Sequence, residues 1–324
     1  MIRVTAPSRL HFGLFNLGAH NEWRNLDGQS IGARRRFGGV GLMIAEPGWQ
    51  IAIEPAHEWQ ASGPLAERAL GFARRFAATL PLAELSPHHV TIEQAVPEHV
   101  GLGTGTQLGL SVAKALSISA GGHADWDAPE LARRTGRGER SAVGVHGFDR
   151  GGFLVEVGKH GDELSPLLLR EEFPAEWRII LILPDPLPGG VHGAAEKRAF
   201  ENLLLESTPN QTDSLCRLVL LGMLPALRER NCREFGEALY DFNARAGEMF
   251  AAAQGARYAG PLESEIIGEV RRLGLPGVGQ SSWGPTVFAV AENANRAAKV
   301  AARLRDHFGA AVTIQVTAAY AGRH

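Results

Sequence analysis

Two stretches of this chain combine glycine with hydroxyl and amide side chains at spacings that suit an anion. The first, PEHVGLGTGTQLG, alternates Gly101, Gly103 and Gly105 with Leu102, Thr104 and Thr106, and Gln107 follows. Glycine lets a backbone take positive φ and approach a ligand closely. Amides exposed in such a turn, with the N-terminus of a helix behind them, favour negative charge. The second stretch, GQSSWGPTVFA, sets Ser281, Ser282 and Gly284 around Trp283. Either could be a tight turn with no ligand. Two of them, each beside a strand, suggest one phosphate or diphosphate site shared between the halves of the chain.

The first loop is not a Walker A loop, because no Lys-Ser/Thr follows its last glycine. Its glycine spacing is also wrong for a dinucleotide fold. The chain has no G-x-S-x-G elbow and no cysteine–histidine signature for covalent catalysis. Cys216 and Cys232 are its two cysteines, expected as reduced thiols, and they lack the partners of a zinc site.

Candidate cations stand near these loops in sequence. Arg9 and His11 share SRLHFG, and Arg137 and Arg140 share GRGERSAVG. Arg150 and the run Arg34, Arg35, Arg36 are further candidates, with solvated loops or ion pairs as the plain alternative. His146, His192 and Glu196 sit in glycine-rich turns that could flank a cleft. Glu139 and Asp149 could touch a metal or a ribose. The Trp283 ring could stack on an aromatic substrate or simply pack. With 33 Lys+Arg against 35 Asp+Glu, no global field favours nucleic acid or an anionic membrane. No apolar run reaches membrane-spanning length, and the N-terminus lacks a signal-peptide core, so a cytoplasmic protein is expected.

These residues need elements to hold them. The 324-residue length suits one large domain or two ordinary ones. IRVTAPSRLHFGLFNL reads as a strand pair broken at Ala6-Pro7-Ser8, and GVGLMIAEP and WQIAIEPA as two strands around a Pro47-Gly48 turn. Residues 65–80 have helical spacing, HHVTIEQAVP is a strand, a helix is expected to follow the first glycine turn, and another over 129–134. AVGVHGFDRGGFLVEVGKH reads as strand, and LSPLLLREEFP as a connection between halves. Strand 178–183, helices 194–205, 212–230, 232–250 and 294–308, and a terminal strand complete an α+β pattern. The expected halves are residues 1–165 and 166–324.

The three motifs APSRLHFGLFNLG, PEHVGLGTGTQLG and GQSSWGPTVFA resemble, in order and spacing, those of the GHMP kinase superfamily. The resemblance implies an N-terminal half like ribosomal protein S5 domain 2 and a ferredoxin-like C-terminal half. Two departures stand out. Kinase loops continue Ser-Ser-Ala where this chain has Thr104-Gly105-Thr106. Many of these kinases place a catalytic Asp where GERSAVG has Arg140, and a cation cannot act as general base but can hold a diphosphate. One branch fits better: GLGTGTQLGLSVA, GRGERSAVGVHGFDRGGFLVEVG and QSSWGPTVFA resemble the β-ribofuranosylaminobenzene 5'-phosphate synthases.

That resemblance implies 5-phosphoribosyl 1-diphosphate as donor and 4-aminobenzoate or 4-hydroxybenzoate as acceptor. The products would be a C-riboside 5'-phosphate, pyrophosphate and CO2, at the entry to tetrahydromethanopterin synthesis. Arg140, Arg9 and His11 are then the expected catalytic residues. Gly101, Gly103, Thr104, Gly105, Thr106, Gln107, Arg137, Ser281, Ser282 and Gly284 are expected to bind phosphate. Trp283, His192 and Glu196 are expected at the acceptor, Mg²⁺ is the expected cofactor, and a homodimer the expected assembly. An ATP-dependent small-molecule kinase is the rival reading.

Overall fold

Alternating apolar residues in β1 (Ile2–Asn16) and β2 (Gly38–Pro55) build a long antiparallel pair. The computed structural model describes residues 1–16, 25–29, 35–81, 84–187 and 209–322. Both strands run through the prolines at which breaks are expected. Register shifts between Ala6 and Ser8 absorb Pro7, which has no amide to give the ladder. Around β2 gather β3 (Gln60–Ser62), β4 (His88–Gln94), β5 (Phe153–Glu156) and β6 (Leu167–Glu171). The sheet order is β3-β4-β2-β5-β6, with β1 also on β2. The segment expected as a connection therefore supplies an edge strand, and the first sheet extends past residue 165.

Four helices accompany this sheet: α1 (Ala66–Ala77), α2 (Thr104–Ser119), α3 (Ala128–Thr135) and α4 (Val143–Arg150). α4 corrects the strand expected over AVGVHGFDR. Its glycines lower helix propensity and disguise it, but Gly147 lies so close to the Met43 side chain that a Cβ has no room. Tertiary packing thus overrides propensity here.

The second sheet has β7 (Arg178–Pro184), β8 (Val278–Gln280), β9 (Val287–Ala291) and β10 (Val312–Thr317), in the order β10-β7-β9-β8 and antiparallel throughout. Numbered in chain order, that is the 4-1-3-2 arrangement of a ferredoxin-like fold, as expected. Between β7 and β8 run α5 (Pro209–Leu218), a π-turn (Val219–Met223), α6 (Leu224–Arg228), α7 (Cys232–Gln254) and α8 (Pro261–Arg272). α9 (Ala294–Phe308) follows β9 and ends as the spacing predicts. α8 is absent from the sequence reading; its apolar Ile266, Ile267 and Val270 are buried under the second sheet. The helix expected over 194–205 lies outside the described residues.

One hydrophobic core joins the halves. Phe12 of β1 stacks on Phe288 of β9 with ring centroids 5.0 Å apart. Phe235 of α7 meets Phe153 of β5 at 6.0 Å. Phe242, on the next turns of α7, is fully buried in the same cluster. A shared core of this kind resists sliding of one half on the other. It fixes whatever lies between β1, the start of α2 and the β8–β9 turn. Cys216 and Cys232 are free thiols, as expected. Among the described residues, no helix is long and apolar enough to cross a membrane.

Candidate active site

The two glycine loops touch. The Ser281 hydroxyl donates to the Gly101 carbonyl at 2.7 Å, and the Thr286 hydroxyl donates to the Val100 carbonyl at 2.5 Å. Gly101 has φ 87°, and a Cβ there would strike the Ser281 carbonyl. The glycine therefore serves both a left-handed backbone and a loop-to-loop approach. β1 lies against the same joint. The Arg9 amide donates to the Leu102 carbonyl at 2.9 Å, and the His11 amide to Ser281 Oγ at 3.0 Å. The Ser282 amide returns to the His11 carbonyl at 3.1 Å. Asn243 of α7 completes the frame: its side-chain amide donates to the Phe12 and Gln280 carbonyls, and its Oδ1 accepts from the Gln280 amide.

Beside this joint is a cavity of about 260 Å³. Arg9 from β1, and Arg137 and Arg140 from the loop between α3 and α4, line it together with Thr106 and Ser282. Phe250, Tyr258 and Trp283 line it as well. Trp283 meets Phe250 edge-on, with centroids 5.3 Å apart. Arg257 lines it beside Tyr258, whose hydroxyl burial pushes up to about 12.

His11 also lines the cavity, 5% exposed, and its Nε2 has no hydrogen-bond partner among the described residues. Burial, and then the charge of Arg9, push its imidazole well below the ordinary range. His11 is therefore neutral at physiological pH. Arg137 is partly buried; burial and then the charge of Arg68 disfavour its protonated form, with Arg140 and Arg75 adding to the effect. An anion among these cations would relieve that repulsion.

The loop carrying Arg140 is pinned from below by Glu156, which is fully buried in β5. Glu156 accepts from Ser141 Oγ at 2.5 Å and from the Ala142 amide at 2.7 Å. Burial outweighs these hydrogen bonds and pushes its carboxyl up to about 7. Glu156 was not singled out in the sequence. Its signal was a charged residue inside the apolar run FLVEV.

The expected site residues divide into two groups. Arg9, His11, Thr106, Arg137, Arg140, Ser282 and Trp283 line the cavity. Gly101, Gly103, Gly105, Ser281 and Gly284 shape the loops around it. Three side chains expected on phosphate are turned into the protein instead. Thr104 Oγ1 donates to the Pro97 carbonyl at 2.8 Å, Gln107 Nε2 to the Gly144 carbonyl at 2.7 Å, and Ser281 to Gly101 as above. Gln107 satisfies a buried carbonyl, and Thr104 and Ser281 tie part-buried carbonyls of the first loop. His146 Nε2 is bonded to the Ser165 carbonyl, and Asp149 accepts from the Ala128 amide at the start of α3. Neither lines the cavity. Arg35 Nη1 donates to the Gly158 carbonyl. Arg34, His192 and Glu196 lie outside the described residues.

The residues do not make a metal nest. No group of three His, Cys, Asp or Glu side chains exists among the described residues, and Glu139 is the one carboxylate among the described residues lining the cavity. Magnesium held by a protein ordinarily rests on one or two carboxylates and on substrate phosphates.

The comparisons bear on this geometry. Residues 66–154 match the GHMP kinases N-terminal domain and residues 223–310 the GHMP kinases C-terminal domain. The β-ribofuranosylphenol 5'-phosphate synthase of Methanothermobacter thermautotrophicus is 31% identical over 89% of this chain and 88% of its own length. That of Archaeoglobus fulgidus is 32% identical over 95% of this chain and 93% of its own. The chain belongs to the β-ribofuranosylphenol 5'-phosphate synthase family. It is an enzyme, and its fold is that of the GHMP kinases. Streptococcus pneumoniae phosphomevalonate kinase, 12% identical, superposes with a TM-score of 0.67 over 99% of this chain and all of that one, which speaks to fold alone.

Proposed function

We propose that this enzyme joins C1 of 5-phosphoribosyl 1-diphosphate to the ring carbon of a para-substituted benzoate, releasing pyrophosphate and CO2. The observation that carries the reading is the mixed lining of one cavity. Arg9, Arg137 and Arg140 line it, and so do Phe250, Tyr258 and Trp283. A polyanion and an aromatic ring can meet in it. The name of the archaeal relatives specifies a ribofuranosylphenol 5'-phosphate, which is the product that 4-hydroxybenzoate would give. 4-Aminobenzoate has the same shape and the same electron-donating para position.

The chemistry suits a site with a cation where a base would stand. The C1–O bond breaks, and the diphosphate leaves with the electron pair. The acceptor carbon bearing the carboxylate forms the new bond to C1. The C–CO2 bond then breaks, and its pair restores the aromatic ring. CO2 leaves in the place of a proton, so no general base is needed at that carbon. Arg140 can hold the leaving diphosphate, with Arg9 and Arg137 beside it, by charge-assisted hydrogen bonds that strengthen as negative charge develops. Neutral His11 adds a hydrogen bond without repelling these cations. The Trp283 and Phe250 rings position the acceptor face-on or edge-on.

Mg²⁺ is proposed to arrive on the donor's diphosphate rather than on a site of the protein, and it would supply charge neutralisation of the leaving group. We assign the reaction to the entry of tetrahydromethanopterin synthesis, and expect a cytoplasmic homodimer. The test is incubation with the phosphoribosyl donor and each benzoate, followed by mass spectrometry. A C-riboside 5'-phosphate supports the reading. ADP formed from ATP and an alcohol, with no C-riboside, would replace it with a kinase.

A further inference from the structure

The first loop departs from the kinase pattern at Gly105, and the reason lies on a neighbouring helix. The guanidinium of Arg68, from α1, occupies the space a side chain at 105 would need. An ideal Cβ there falls 3.0 Å from Arg68 Cζ and 3.5 Å from Arg137 Nη2, with Arg68 Nη2 closer still. Arg68 is held by Glu98, at the entry to the same loop. Arg137 Nη2 donates to Thr106 Oγ1 at 3.3 Å, while its Nε is buried with no hydrogen-bond partner among the described residues. Two guanidinium groups thus crowd one α-carbon in the first turn of α2. That turn carries amides without intrahelical acceptors and the positive end of the helix dipole. Glu98 and Glu139 offset part of this charge, and an anion held between the two guanidinium groups would offset the rest.

We propose that Arg68 and Arg137 form a two-guanidinium clamp on a phosphoryl group of the donor, and that Gly105 is small so that Arg68 can reach it. This deepens the phosphoribosyl-donor reading and rests on it. Arg68 approaches from α1, outside the residues lining the cavity, so the clamp grips at the rim. The donor's other anionic end then extends inward to Arg140. Planar guanidinium forks suit the paired oxygens of a phosphoryl group better than an ammonium would. Glu98 orients Arg68 and neutralises part of its charge.

Titration calorimetry with inorganic pyrophosphate and with ribose 5-phosphate distinguishes the two ends of the donor. R68A is expected to weaken whichever probe the clamp holds by about tenfold or more, to lower the salt dependence of that binding, and to leave the other probe unchanged. G105A, which keeps Arg68 but denies it the seat, is expected to show the same selective loss. R74A, on the exposed side of α1, is expected to bind as wild type. R68K tests the fork where R68A does not fold: charge alone is expected to leave binding several-fold weaker. Wild-type affinity for both probes in R68K and G105A would overturn the clamp. A wild-type enzyme that turns over donor and benzoate while R68A keeps an unchanged donor KM would also remove the clamp, leaving the reaction standing. Selective loss of probe binding in R68A without any wild-type turnover would keep the anion clamp and remove the reaction.

Discussion

Ser281 and Gly101 lie 180 residues apart in the chain, yet the serine hydroxyl donates to the glycine carbonyl at 2.7 Å. The same oxygen accepts the His11 amide at 3.0 Å. One side chain therefore helps to fasten both glycine loops to β1, beside the cavity. S281A would leave a buried amide and a part-buried carbonyl without this partner. We expect a loss of about 1–3 kcal/mol in stability by urea unfolding. The donor KM should rise by about tenfold in protein that remains folded. An unchanged KM would separate the stitch from the site.

Arg140 lines the cavity together with Arg9 and Arg137. R140A is expected to lower kcat/KM for the donor by about 100-fold, the cost of removing one charged donor from a developing anion. Steady-state kinetics in pyrophosphate release checks this. Near-normal kinetics would place the leaving group elsewhere.

Trp283 lines the same cavity and should be felt by the other substrate. W283A is expected to raise the benzoate KM by about tenfold and to leave the donor KM within about twofold. Equal effects on both would mean that the ring packs the second loop rather than the acceptor.

Glu156 gives the fold a pH dependence whose sign follows from burial. Its folded pKa, about 7, lies above the ordinary 4.5. The folded protein holds this proton where the unfolded chain has released it. The associated stability is present below pH 4.5 and lost as pH rises towards 7, on the order of 3 kcal/mol at most. E156Q should flatten the stability profile across that window in urea unfolding. A profile of unchanged slope would show that Glu156 is ionised in the folded protein throughout.

Much of this site was legible in the sequence because loop chemistry is local. The glycines at 101 and 103, the serines at 281 and 282, and Arg9, His11 and Arg140 declare themselves by type and neighbours. What escaped depends on distant packing. Arg68 is one arginine among several on an amphipathic helix, and only Gly105, 37 residues later, hints at it. α4 was hidden because Gly144 and Gly147 weaken the helix pattern that Met43 and Gln107 require from the other side. Thr104 and Gln107 have the right types for phosphate, but the Pro97 and Gly144 carbonyls take their donors. Arg257 and Tyr258 carry no motif and reach the cavity only through the turn between α7 and α8.

We propose that carbon–carbon bond formation replaces phosphoryl transfer in this cavity. Carboxyl-labelled 4-hydroxybenzoate, supplied with 5-phosphoribosyl 1-diphosphate and Mg²⁺, tests it directly, with labelled CO2 and pyrophosphate measured together. The two are expected in equal amounts, both abolished when the donor is omitted. Pyrophosphate without labelled CO2, or neither product from either benzoate, would contradict it.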